Sequence, residues 1–259
     1  MNKKIIYIVL IIVLGVMLFI SGFALGLHIK MQEKQEDVVE EKKEEQKEES
    51  TTSKNKYAKI DLKNLEYKAK DNTDLTKNIQ IIDAYSYSDS EMVIYAKNNN
   101  NVPVTISSEL NFLDAEGYII EYTYGSTPTV IKANSDFYIT VYLKYTEDYK
   151  TTNFEYSASK IKSIYEDINV TEKDIELMEE DITINALFKN KTGKDIMISG
   201  MCVYYNNNKV VGITPALFGG IIKNGDYNTA KCGKYKLKDT KYDKYEFKIV
   251  SAYYTSKEW

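Results

Sequence analysis

The stretch "NNNNVPVTISSELNFLDAEGYII" (98–120) decides the fold once it is set beside "NKTGKDIMISGMCVYYNNNKVVG" (190–212). At a constant offset of 92, Val104, Ile106, Ser108, Leu110 and Phe112 face Ile196, Ile198, Gly200, Cys202 and Tyr204. Every second residue matches, and period-2 spacing places each set on one face of a strand, the face that must be buried. The match continues at "NSDF" (134–137) and "NGDY" (224–227), where the offset is 90, and at "YKTTNFEYSAS" (149–159) and "YDKYEFKIVSA" (242–252). Two copies of one β fold follow.

The same comparison settles Asp114 and Glu116, which sit beside Gly117 as a metal or catalytic pair would. In the second copy they become Asn206 and Asn208, and Gly117 becomes Lys209. Asn and Asp share the ability to bond their own backbone and to tolerate positive φ, but only Asp binds cations well. The property retained is the structural one, so these residues read as a turn.

Around these motifs, strict alternation punctuated by Asn, Gly and Asp runs from about Tyr57 to the end, with almost no sustained helical period. In the first copy it predicts strands near 78–88, 91–98, 102–113, 117–124, 136–145 and 153–160. Turn signals every 8–12 residues suggest a sandwich. The residues "LNFLD" (110–114) and "AEGYII", with "KNNNNVPV" before them and "NSDF" after, resemble the FxLYD type of bacterial extracytoplasmic domain. The second copy, "CVYYNNNKVVG", keeps Tyr205 and lacks the Asp and the turn Gly. The similarity covers roughly 80–170 and 175–255. It implies immunoglobulin-like β-sandwiches in surface or secreted proteins of low-GC Gram-positive bacteria, with no catalytic residues to carry over.

Upstream, Met1–Lys4 carry two lysines, and Ile5 to Leu27 run 23 residues without a charge. At 1.5 Å per residue this is about 35 Å, enough to cross a hydrocarbon core of about 30 Å. The preceding lysines favour a cytoplasmic N-terminus, with the rest of the chain outside. The reading is an uncleaved signal anchor over residues 1–28 in contact with the lipid bilayer; the alternative is cleavage and secretion. Gly22 and Gly26 form a GxxxG, which admits weak homodimerisation through this helix. Residues 29–56 are charged and nearly devoid of apolar side chains, a tether that cannot bury enough surface to order itself. The expected architecture is therefore all-β, with two tandem immunoglobulin-like β-sandwich domains (57–165 and 166–259) behind an N-terminal transmembrane helix.

Composition narrows the function. All 34 basic residues are Lys and the formal net charge is −4, which speaks against nucleic acid, whose readout leans on the Arg fork. The single His, His28, ends the apolar run, so the body lacks the usual general base and the commonest zinc ligand. No motif for a catalytic nucleophile, a metal or a cofactor appears. The 23 Tyr fit an AT-rich genome and a strand-rich fold, and they also admit sugar stacking at Tyr85, Tyr87, Tyr122 and Tyr124.

Two features of the second copy stand out. Cys202 and Cys232 are the only cysteines and suggest a disulfide in an oxidising compartment, although Leu110 and Tyr142 occupy the matching places in the first copy. "GITPALFGGII" (212–222) reads as an unusually apolar loop. Either it packs under its own sandwich edge or on the other domain, or Pro215, Leu217 and Phe218, with Met197 and Met201 of the neighbouring strand, form a contact patch for a partner. The function expected is non-enzymatic binding to an envelope protein or a wall polymer. The alternative is a glycan-binding module or carbohydrate-active enzyme using exposed Tyr and a carboxylate. A regulatory subunit whose membrane helix pairs with another is a third reading.

Overall fold

Alternating apolar and polar side chains make strands of most of the chain from Glu66 onward, and side-by-side pairing of those strands satisfies their backbone groups. The computed structural model describes residues 57–144, 148–237 and 240–256; the apolar run Ile5–Leu27 and the tether lie outside them. The described residues fall within one unit, Asn55–Trp259, which is all-β. Among them no helix is long and apolar enough to cross a membrane.

The first set of strands is β1 (Glu66–Ala69), β2 (Ile79–Ser88), β3 (Glu91–Asn98), β4 (Val104–Leu113), β5 (Ile119–Ser126), β6 (Asp136–Tyr142) and β7 (Thr151–Lys160). One short helix, α1 (Asp74–Lys77), lies between β1 and β2. The second set is β8 (Tyr165–Asp167), β9 (Ile175–Glu179), β10 (Thr183–Lys189), β11 (Met197–Asn206), β12 (Lys209–Leu217), β13 (Tyr227–Gly233) and β14 (Lys244–Thr255). The orders β1-β7-β4-β5 and β6-β3-β2 in the first set recur as β8-β14-β11-β12 and β13-β10-β9 in the second. Tyr165, expected in the first domain, thus pairs with strand β14 of the second set.

Details of bonding repeat as well. Asn98 Nδ2 donates to the Val102 and Lys132 carbonyls at 3.3 and 2.8 Å, and Asn190 Nδ2 donates to those of Lys194 and Ile222, both at 2.8 Å. Each Asn is fully buried and holds the loop before the next strand. Bridges Val104–Ile131 and Ile196–Ile222 occupy matching positions. These bridges, and the pairing of β3 with β6 and of β10 with β13, fix the later offset at 91, not the 90 that the letters "NSDF" and "NGDY" suggest. Asn134 and Gly225, both at positive φ, are the equivalent residues, because that turn position selects for left-handed backbone.

The two sets differ in two places. β1 runs parallel to β7, whereas β8 runs antiparallel to β14. β5 also leaves β4 and pairs with β6 through Gly125–Val141 and Ser126–Thr140, joining all seven first-set strands in one sheet. The crossing needs glycine: a Cβ at Gly125 would collide with Ser108 Oγ and Ile139 Cγ2.

Cys202 on β11 and Cys232 on β13 form a disulfide, with Cα atoms 6.0 Å apart, which links the two sheets of the second set. With the offset corrected, their first-set counterparts are Leu110 and Val141, both fully buried, and not the exposed Tyr142. An apolar pair thus fills the place of the bridge. Reduction is expected to lower stability by about 3.5 kcal/mol through the loop of 29 residues it frees, read as a drop in urea midpoint with reductant present. The double substitution Cys202→Leu/Cys232→Val should still fold.

Candidate functional site

The faces that could bind follow from which sides of the sheets remain open. Residues 92–96 of β3 and 137–141 of β6 are buried on both faces, as are 198–204 of β11. One side of β3 and β6 covers the core of the first set. The other meets the second set, for Met201, Val203, Ile213 and Val250 belong to the same hydrophobic cluster as Val93, Tyr95 and Tyr138. The strands therefore stack in four layers, in the order β1-β7-β4-β5, β6-β3-β2, β12-β11-β14-β8, β13-β10-β9, the first two being halves of one continuous sheet.

Polar pairs fix this junction. The Lys248 ammonium meets the Asp136 carboxylate, which also accepts from Tyr95 Oη at 2.7 Å. Lys236 Nζ lies 3.0 Å from Glu91 and 4.9 Å from the ring centre of Tyr87. The Lys132 backbone N–H donates to the Val250 carbonyl at 3.0 Å, and Lys132 Nζ to that of Val170 at 2.7 Å. Burial pushes the phenols of Tyr85, Tyr87, Tyr95 and Tyr138 above their ordinary range, and for Tyr95 the hydrogen bond to Asp136 adds to it. Tyr205 is pushed up to about 12, by burial first and then by Glu246.

The structure distributes the five expected contact residues among different environments. The segment expected as an apolar loop is mostly strand β12, an edge strand, where Pro215 forfeits no ladder bond that matters. Phe218 is buried in the second core beside Phe188 and Phe247, and Met201 is buried in the junction, so neither is free to meet a partner. Met197 is half-buried, its Sδ accepting from Tyr253 Oη at 3.3 Å. Pro215 and the exposed Leu217 line a cleft of about 490 Å³ between the two sets, together with Tyr138, Tyr142, Tyr235 and Lys236. Asp114 behaves as a turn residue: its Oδ1 accepts from the backbone N–H of Glu116 and Tyr118 at 3.0 and 2.8 Å, with Gly117 at positive φ. The matching hairpin turns on Asn207 and Asn208, both also at positive φ. Among the described residues no group of three or more His, Cys, Asp or Glu is placed to hold a metal.

The four tyrosines singled out for stacking separate into two pairs. Tyr87 is buried and Tyr85 packs against the junction cluster. Tyr122 and Tyr124 stand on the outer face of β5, 43% and 65% exposed, with ring centres 5.2 Å apart in an edge-to-face pair. The Tyr122 hydroxyl pushes the Tyr124 phenol up. Strand register extends this pair into two rows across the sheet: Tyr122, Asn111, Asn153, Glu66 and Tyr124, Glu109, Glu155, Lys68. Asn111 and Asn153 are buried at the floor of this face, the Nδ2 of the first donating to the Oδ1 of the second at 3.0 Å. Asn111 Oδ1 has no donor. The amide floor escaped the sequence reading because periodicity marks a residue as outward and says nothing of its neighbours across the sheet.

No family model matches the chain, and no curated protein matches it. Among solved structures, the red sea bream transglutaminase is similar at TM-score 0.19 and 8% identity, over 66% of this chain and 29% of that one. The Salmonella enterica SafA pilin in complex with the SafB chaperone is similar at TM-score 0.15 and 8% identity, over 62% and 89%. Likenesses this slight carry no functional meaning. The chain spans less than a third of the length of the transglutaminase it matches.

The raised junction tyrosines make stability depend on alkaline pH. Phenols of the unfolded chain ionise near 10.0, while those buried here hold their protons higher, Tyr205 to about 12. Their contribution is complete below pH 10 and is lost as pH rises from there through the folded values. The urea midpoint is expected to fall steadily above pH 10, with tyrosinate absorbance of the buried group appearing only as structure is lost. Full ionisation at pH 10 with the fold intact would contradict this.

Proposed function

We propose that this chain is a non-catalytic scaffold or binding protein of a low-GC Gram-positive cell envelope. In this reading Ile5–Leu27 anchors it in the membrane with the N-terminus inside. A charged tether over 29–56 spaces from the membrane two tandem immunoglobulin-like sandwiches of FxLYD type, near 57–165 and 166–259, which lie outside. Their work is contact with another envelope protein or a wall polymer.

The observation that carries this reading is the junction. The apolar outer face of β11, β12 and β14 is consumed by docking on β3 and β6, so the two sandwiches act as one stiff block. A stiff block on a tether suits presentation of a surface at a distance. The Cys202–Cys232 bridge fits an oxidising exterior. A glycan-binding reading also has an observation in its favour, the exposed Tyr122–Tyr124 pair.

Protease added to intact, wall-stripped cells is expected to release the body as one fragment beginning beyond the tether, with no cut in the connection 161–164. Complete protection would overturn the topology. A cut that separates the two sandwiches would overturn the stiff block.

A further inference from the structure

The geometry points to the outer face of β5, β4 and β7 as a binding surface for an uncharged or N-acetylated β-linked glycan chain. The inference rests on the reading of the chain as an envelope binding protein and names the ligand class.

The molecule itself demonstrates that this type of face docks. Residue by residue, Tyr122, Asn111 and Asn153 correspond in strand pairing to Ile213, Val203 and Glu246 of the second set. Tyr124, Glu109 and Glu155 correspond to Pro215, Met201 and Lys248. In the second set these positions are apolar at their centre and are covered by β3 and β6. In the first set no second sheet lies over the same face, and its centre has been rebuilt from the buried amides of Asn111 and Asn153 and the half-buried carboxylates of Glu109 and Glu155, with aromatics along one side. That substitution fits a ligand rich in hydroxyls. A packed protein face wants an apolar centre depleted of charge.

The chemistry selects among such ligands. Pyranose rings carry C–H groups on their faces, which suit exposed aromatic rings, and hydroxyls around their edges, which suit carboxylates and amides. Here Tyr122 and Tyr124 supply the rings, and Glu109, Glu155 and the Asn111–Asn153 pair supply donors and acceptors across the sheet. Asn111 Oδ1, buried without a donor, is an acceptor that a small shift would bring to a hydroxyl or an acetamido N–H. Neighbouring strands lie about 4.8 Å apart, close to the repeat of a β-1,4-linked pyranose chain, so a sugar lying across the strands meets one row position per ring. Charge does not favour polyanions. Glu66, Glu109 and Glu155 share the face with Lys68, Lys70 and Lys144; Lys70 Nζ is already 2.6 Å from Glu109, and Lys144 Nζ lies 5.5 Å from the ring centre of Tyr122. Phosphate-rich polymers would meet carboxylates without Arg to offset them.

The test uses the full chain in a detergent without a sugar headgroup, titrated calorimetrically with chitotetraose, with cellotetraose and with heparin. Saturable binding of at least one tetrasaccharide and none of heparin is expected. The double substitution Tyr122→Ala/Tyr124→Ala should weaken the binding about tenfold or more while leaving the urea midpoint unchanged, since both rings are exposed. Asn111→Leu, which removes the amide, should weaken it as well. Failure of both tetrasaccharides to bind, binding untouched by the double substitution, or preference for heparin would each overturn the inference. None of these results bears on membrane topology or the stiffness of the block, which the protease experiment decides separately.

Discussion

Everything else in this architecture depends on one packing event, the burial of Met201, Val203, Ile213 and Val250 of the second set against Val93, Tyr95 and Tyr138 of the first. Apolar burial supplies the drive for such docking but no direction. Direction comes from the polar pairs at its margins: Lys248 with Asp136, Lys236 with Glu91, and the Lys132 amide with the Val250 carbonyl. Breaking one member of such a partly buried pair leaves its partner unpaired, so these contacts resist sliding more than they add to stability. Two sets of strands become one four-layer block.

The same packing explains why the stack stops at four layers. The outer face of β10 and β13, exposed along β13 and largely buried along β10, is the counterpart of the face by which β3 and β6 dock. There Val93 is replaced by Asn185, Tyr138 by Thr229 and Thr140 by Lys231. At the opposite end Met201 and Val203 are replaced by Glu109 and Asn111. Both inner faces are apolar at their centre, and both ends carry polar side chains at most of the matching places, although Leu187 stands where Tyr95 does. Arrays of repeats need such caps, because a head-to-tail contact that does not close on itself continues into fibres. Exposed tyrosines stand at both ends, Tyr122 and Tyr124 as an edge-to-face pair on β5 and Tyr227 on β13.

The sequence reading and the structure diverge in instructive places. The letters aligned Cys232 with Tyr142, but strand pairing aligns it with Val141, a shift of one residue that exchanges an outward for an inward side chain. An apolar segment with Gly and Pro read as a loop, yet most of it is strand β12, because an edge strand accepts Pro without losing a ladder bond. Tyr85 and Tyr87 looked equivalent to Tyr122 and Tyr124. All four read as candidates for stacking, and the docking of the second set leaves Tyr87 buried and Tyr85 half-buried.

What the sequence determined by itself was local and periodic. It placed six strands of the first copy close to where they form, the recurrence of their inward side chains, and Asp114 as a turn residue, since each is set by φ, ψ and parity over a few neighbours. The unusual apolarity at Met201 and Val203 was equally visible, as an outward face wanting cover. Tertiary structure alone decided what covered it, which tyrosines stayed in solvent, and that Asn111, Asn153, Glu109 and Glu155 would align in rows beside Tyr122 and Tyr124. Parity tells which side of a sheet a residue occupies. Whether another sheet lies over that side depends on contacts between residues a hundred positions apart, and no periodicity along the chain records those.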